Sequence, residues 1–528
     1  MYDYVIVGAG SAGCVLASRL SEDPDCRVLL VEAGPRDRHP FIHMPAGIAR
    51  LARNRRLNWN YVTEPEARLD GRRMWWPRGK VLGGSSAINA MCYVRGVPAD
   101  YDGWASAGAD GWAWANVLPY FRRSEGNMRG VDALHGGDGP LAVSDLRHVN
   151  LLSRAFIEAG IEAGLPRNDD FNGPVQTGVG LYQVTQKDGA RCSSATAYLA
   201  PARARPNLQV VTGALVRHIV LENGRAVGVA YAHGGRELVA RAGAEVLLCA
   251  GAINSPQLLM LSGIGPAETL RAAGIDVELD QPNVGRHLQD HLDICTLFHT
   301  VPGISYDRAS ELKIAFEYFL RGHRGAGTSN VAEAGGFMRS RHAADARNDI
   351  QFHFVPAMLD DHGRHRLPGD GYTLHACFLH PRSRGRIGLH DADPRRAPRI
   401  EANYLSDPDG FDLKMMVECA RLSREILAQA AFDPWRGAPI FPARNNLSDT
   451  ELAGFVRAKA ETIYHPAGTC RIGKPDEGVV DPQLRVHSIA GLRVVDASVM
   501  PTLPSGNTNA PTIMIAERAA DLIRGLIA

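Results

Sequence analysis

A chain of 528 residues is too long for one ordinary core and predicts two or three domains. Its 45% hydrophobic and 22% charged content is that of a soluble globular protein, and a formal net charge of +1 argues against a nucleic-acid partner. Nine scattered cysteines without a CxxC pair argue against a zinc site and suit reduced cytosolic thiols.

Tyr4 to Val7 read as a short apolar strand, Ser11 to Leu20 as a helix, and Val28 to Val31 as a second strand ending in Glu32. Between them runs Gly8-Ala9-Gly10-Ser11-Ala12-Gly13. Glycines here allow a tight turn and close approach of backbone to a pyrophosphate, while the helix start supplies partial positive charge. Glu32, followed by Ala33, places a carboxylate where ribose hydroxyls are held, and it would repel a 2′-phosphate. This motif does not by itself separate FAD from NAD.

Residues 34–150 are irregular and rich in Gly, Pro and Trp, which predicts packed excursions rather than loose loop. The basic cluster Arg50, Arg53, Arg55 and Arg56 lies among Leu51, Leu57 and Trp59. It reads as a solvated loop or as a contact with an anionic membrane. Arg78-Gly79-Lys80-Val81-Leu82-Gly83-Gly84-Ser85-Ser86-Ala87-Ile88-Asn89 is a second glycine-rich loop, able to form an anion nest or an ordinary turn. Asn207 to Val220 and Ala226 to Ala232 read as strands joined at Asn223-Gly224, a hairpin signal. Glu245 to Cys249 runs into Ala250-Gly251 and a helix carrying Leu258, Leu259 and Leu261.

From 306 to 455 the pattern changes. Asp349 to Val355 and Tyr372 to Leu379 alternate like strands, and Asp412 to Ala431 is helical. Leu492 to Val495 reads as a strand and Thr512 to Ile527 as an amphipathic helix. His465, in Ile463-Tyr464-His465-Pro466-Ala467-Gly468, can take a proton near neutral pH. Asn509, in Asn507-Thr508-Asn509-Ala510-Pro511, can donate to an oxygen or cap the helix.

The 78–89 loop resembles the first signature of the glucose–methanol–choline (GMC) family of flavin oxidoreductases, and residues 251–265 resemble the second. With the His465 and Asn509 motifs, the likeness spans essentially the whole chain. It is greatest to bacterial dehydrogenases of aliphatic primary alcohols, including the enzyme of alkane breakdown, and next to choline dehydrogenases. The resemblance implies an α/β and α+β architecture: a discontinuous Rossmann-like FAD domain, and a second domain with a mainly antiparallel sheet over the flavin. The expected divisions are 1–150, 196–300 and 460–528 for the FAD domain, 151–195 as a connecting segment, and 301–459 for the substrate domain.

The same resemblance implies FAD, with Gly8, Gly10, Gly13 and Glu32 at the adenosine end and Ser11, Ala12 and Ala33 beside them. Gly79, Gly84 and Asn89 lie along the pyrophosphate and flavin, and Val216 lies near the adenine. Asp496 and Ala497 approach the ribityl chain, and Asn507 and Thr508 the isoalloxazine. Ile88 stands where some members carry a flavin-linking histidine, so the FAD is expected to be non-covalent. His465 becomes the base that receives the alcohol proton and Asn509 the donor to the substrate oxygen. Glu333 and His353 match substrate-pocket positions, with a buried ion pair and a strand histidine as their plain alternatives. The expected reaction takes a primary alcohol to an aldehyde and delivers electrons to a quinone-type acceptor. Choline dehydrogenase, an oxygen-using oxidase and a flavin-containing hydroxynitrile lyase stay open. No signal peptide or membrane span is read, so the expected place is the cytoplasm or the inner face of its membrane.

Overall fold

The structure is a computed structural model that describes residues 1–527. Two seven-stranded sheets organise it. The first contains β1 (Tyr2–Val7), β2 (Val28–Glu32), β4 (Leu208–Thr212), β5 (Ala214–Glu222), β6 (Arg225–His233), β7 (Arg236–Leu248) and β14 (Leu492–Val494). β4, β2, β1, β7 and β14 run parallel side by side. Every residue of β2 is buried, as a parallel strand covered on both faces must be. The long β7 changes partners along its length. Its first half closes the antiparallel β5–β6–β7 meander, and its second half lies between β1 and β14. Asn223 and Gly224 take φ of +49° and +71° at the hairpin, as the sequence suggests. The expected single β segment 207–220 is broken at Gly213 (φ +68°), where the chain leaves the parallel sheet and enters the meander.

The second sheet has the order β12-β8-β11-β10-β9-β3, with β13 also on β8, and every pairing is antiparallel. Its strands are β3 (Gly178–Leu181), β8 (Leu292–Thr300), β9 (Ala334–Met338), β10 (Ile350–Val355), β11 (Gly371–Phe378), β12 (Arg436–Phe441) and β13 (Glu461–Thr462). β8 precedes residue 301 and β13 follows 459, so this sheet draws strands from beyond the 301–459 range. Alternation along β10 and β11 sets Gln351, His353 and Val355, and Thr373, His375 and Cys377, on one face. That face looks toward the first sheet.

Three helices border the space between the sheets. α1 (Ser11–Leu20) and α3 (Asn509–Ile523) pack together, and the exposed α2 (Glu311–Leu320) lies at the rim. α3 starts three residues before the expected Thr512 and ends four before Ile527.

Candidate active site

A cavity of about 1440 Å³ lies between the two sheets and runs from the Gly8–Gly13 turn to His353 and His465. The two glycine loops form one end. Gly84 has φ +52°, and a Cβ on it would lie 2.7 Å from Gly10 Cα, so the 78–89 loop tolerates no side chain at this contact. Gly13 packs against Gly8 and does not reach the cavity, since a Cβ there would meet the Gly8 carbonyl at 1.9 Å. Glu32 accepts from Ala9 N–H at 2.8 Å and Gly34 N–H at 2.7 Å, and burial lifts its carboxyl to about 7 against the pull of those amides. It clasps the turn while lining the cavity. Gly8, Gly10, Ser11, Ala12, Ala33, Gly79, Gly84, Asn89, Val216, Asp496, Ala497, Asn507 and Thr508 also line it.

Residues far apart in sequence hold these loops. Buried Arg191 donates to the Asn89 carbonyl at 2.7 Å and its side-chain oxygen at 2.8 Å. Asp496 accepts from Gly251 N–H at 2.9 Å and Ser255 Oγ at 2.6 Å, joining the second signature to the C-terminal segment.

His465 occupies the other end. Its own N–H donates to Asp290 at 2.8 Å. The preceding Tyr464 has φ +71°, a costly conformation for a tyrosine, and Arg78 donates to its carbonyl at 2.8 Å. A chain of hydrogen bonds fixes the ring's tautomer. His291 Nε2 lies 3.0 Å from the Leu379 carbonyl, which can only accept, so this nitrogen carries the proton. His291 Nδ1 is then an acceptor, and His465 Nδ1–H donates to it at 3.0 Å. The lone pair of His465 is therefore on Nε2, which faces Asn507 Nδ2 at 3.2 Å. Burial first, then His291, His353 and Arg78, hold the His465 pKa well below 6.5, so the ring stays neutral.

Asn507 is oriented from its other side. Gln351 Nε2 donates to Asn507 Oδ1 at 3.0 Å, which turns the Asn507 amide N–H groups toward His465. Asn509 does not meet His465. It is the first residue of α3, and its Oδ1 accepts from Ser11 Oγ at 2.7 Å, tying α3 to the glycine turn. Two residues along a helix start rotate the side chain to another face, so the expected pairing of His465 with Asn509 is replaced by one with Asn507.

His353 lines the cavity, stacked on Tyr182 with centroids 5.3 Å apart, and burial pushes its pKa down to about 3. Glu333 does not line the cavity. Its carboxylate accepts from Asn150 N–H at 2.8 Å, Ser153 Oγ at 2.7 Å, Ser329 Oγ at 2.5 Å and Tyr306 OH at 2.5 Å. It fastens loops together instead of facing a substrate.

Two profiles described as GMC oxidoreductase match residues 2–293 and 381–516. The chain belongs to the GMC oxidoreductase family. It is 49% identical to an alcohol dehydrogenase [acceptor] of Pseudomonas putida, covering 99% of this chain and 96% of the relative. An oxygen-dependent choline dehydrogenase of Burkholderia pseudomallei is 47% identical, over 99% and 94% of the two chains. Among solved structures, pyridoxine 4-oxidase from Mesorbium loti superposes with a TM-score of 0.90 at 36% identity and covers 98% of both chains. A formate oxidase superposes at 0.92 with 29% identity, covering 99% of this chain and 98% of that one.

FAD is the cofactor of this GMC family, and the cavity fits it. No side chain caps α1 or α3, so the first N–H groups of both helices are left for the cavity that Gly10, Ser11 and Thr508 line. A Cβ at Gly251 (φ +84°) would enter open space along that wall. Gly10, Ser11 and Glu32 would hold the adenosine and pyrophosphate, and Asp496 and Asn507 the flavin half.

The roles of His291, Gln351, Arg78 and Arg191 are not legible in the sequence. Gln289-Asp290-His291 offers a local hint, three polar residues entering an apolar strand, but nothing in it names His465 as partner.

Proposed function

We propose that this GMC oxidoreductase converts primary alcohols of medium chain length, aliphatic or arylalkyl, to aldehydes and passes the electrons to a quinone-type acceptor. The observation that carries the reading is the His465 Nε2 lone pair facing the Asn507 amide. When bound, FAD supplies the hydride acceptor. His465 Nε2 takes the hydroxyl proton while Asn507 Nδ2–H donates to the same oxygen as negative charge develops there. His291 keeps Nδ1–H occupied, so no second orientation of the ring competes. The sheet face and the loop carrying Ile463 exclude water from the carbinol. Met358, Leu359 and Val355 give the cavity an apolar stretch, where each buried methylene adds about 0.8 kcal/mol.

The test is kcat/KM across ethanol, butanol, hexanol, octanol, benzyl alcohol and choline, with dye reduction and peroxide release followed in parallel. Efficiency should climb with chain length, and dye should outpace oxygen. A flat series with choline best would move the substrate to choline. Peroxide matching dye turnover would make the enzyme an oxidase. Failure of every alcohol to bleach the flavin anaerobically would favour the lyase.

Among the described residues no helix is long and apolar enough to cross a membrane. Peripheral contact is part of the proposal. Its support is α2, where Leu312 is 86% and Leu320 74% exposed beside half-exposed Phe316 and Phe319. Arg50 pairs with Glu311 of α2, and Arg50, Arg53 and Leu312 share the cavity rim. Basic and apolar side chains together suit an anionic bilayer surface. Co-sedimentation with phosphatidylglycerol vesicles should fall in a Leu312→Ser, Phe316→Ser variant, and absence of wild-type binding would remove this contact.

A further inference from the structure

The cavity-facing side of the second sheet carries a histidine that the proton transfer does not use. His375 of β11 stands between His353 of β10 and Cys295 of β8 in the strand register. Its Nδ1 is engaged, with Asp293 Oδ2 at 2.5 Å and Cys295 Sγ at 3.2 Å. A carboxylate oxygen accepts here, so the imidazole Nδ1 bears a proton directed at Asp293. No described residue bonds to Nε2, and the ring lines the cavity.

The two histidines on this wall are pushed in opposite directions. Burial keeps His353 neutral. Burial would do the same to His375, but the charge and hydrogen bond of Asp293, helped by Glu461, raise its pKa. A neutral imidazole therefore sits beside Asn507, and one strand spacing away, about 4.8 Å, sits an imidazole whose Nδ1 is held by Asp293, which favours the doubly protonated ring, and whose Nε2 is left for the cavity. Val355 and Ile463 line the same cavity.

We infer that His375 Nε2–H donates a hydrogen bond to a second oxygen of the substrate, about one strand spacing beyond the carbinol, so that the enzyme selects primary alcohols bearing such an oxygen over plain alkanols of equal length. The class comprises terminal diols and hydroxycarboxylates. The role is one of specificity: His375 takes no proton from the reacting hydroxyl. The inference rests on the alcohol oxidation proposed above.

The experiment measures kcat/KM for propane-1,3-diol through hexane-1,6-diol and for the matching alkanols, in wild type, His375→Leu, His375→Gln and Asp293→Asn. In wild type one diol should exceed its alkanol by on the order of 10- to 100-fold, the range for a hydrogen bond to a charged group. His375→Leu should lose that ratio through KM while alkanol turnover stays close to wild type, and His375→Gln, which keeps a donor, should recover part of it. General damage to the sheet would lower diols and alkanols together and leave the ratio unchanged. If the leucine variant does not fold, the ratios in His375→Gln and Asp293→Asn decide. Absence of any diol preference in wild type, or a preference that survives loss of the imidazole, overturns the inference while leaving alcohol oxidation standing. If neither series bleaches the flavin, the alcohol reading fails and takes this inference with it.

Discussion

His291 and His465 meet Nδ1 to Nδ1 at 3.0 Å with ring planes 88° apart. Only one of the two nitrogens can carry a proton, and the Leu379 carbonyl decides which. Replacing His465 with Ala should preserve FAD binding and slow flavin reduction by about 10²–10⁴-fold, the range for a lost general base. His291→Phe removes the acceptor for His465 Nδ1–H and frees the ring to place its lone pair on either nitrogen. It should slow reduction about tenfold or more with little change in KM. Stopped-flow reduction under anaerobic conditions reads both, and a His291→Phe enzyme as fast as wild type would break the link between tautomer and rate.

The two asparagines at the start of α3 should separate cleanly. Asn507→Ala removes the donor beside His465 and should lower the reduction rate by about 10²–10³-fold. Asn509→Ala removes the Ser11 contact instead and should leave reduction within a few-fold of wild type while weakening FAD retention. Equal loss of reduction in both variants would contradict this division.

His465 must be neutral to work, and its pKa is held well below 6.5 by burial and by His291, His353 and Arg78. Protonation disables it, so the reduction rate should be flat across neutral pH and fall only in acid. An ascending limb with a midpoint near 7 or above would mean that another group titrates.

Glu461 gives a pH effect of the opposite sense on stability. Burial, Asp361 and Asp293 lift its pKa from 4.5 to about 7. The folded protein thus holds a proton that the unfolded chain releases. Stability from this group is fully present below 4.5 and is lost as pH rises toward 7. Glu461→Gln should therefore match wild type near pH 4.5 and exceed it by up to roughly 3 kcal/mol at pH 8. Tm measured across that range checks the sign.

Ile88 lines the cavity at the end of the second glycine-rich loop and has no nucleophilic atom. Acid precipitation should release intact FAD into the supernatant, and flavin retained by the pellet would show a covalent link elsewhere.

Much of this arrangement is legible in the sequence because it is local. Gly8, Gly10 and Gly13 with Glu32 lie within one strand–turn–helix–strand unit, and Asn223-Gly224 marks its hairpin unaided. What escapes depends on distance or on rotation. Asn507 and Asn509 are the same residue type two apart, and only Gln351, 156 residues away, selects the first. Glu333 looks like a pocket carboxylate in sequence, yet the four donors that bind it come from Asn150, Ser153, Tyr306 and Ser329. The His291 partnership pairs residues 174 apart, which no periodicity can announce.

β7 is clasped by β1, which begins at residue 2, and by β14, which begins at residue 492. A ribosome must therefore deliver everything from residue 2 to residue 494 before that sheet can close, and the loop bearing His465 and the Asn507 segment emerge just as late. Growing chains would hold an open sheet edge in the meantime, which favours slow folding and exposure to aggregation. The cavity for the flavin is likewise incomplete until Asp496, Asn507 and Thr508, which line it, are in place.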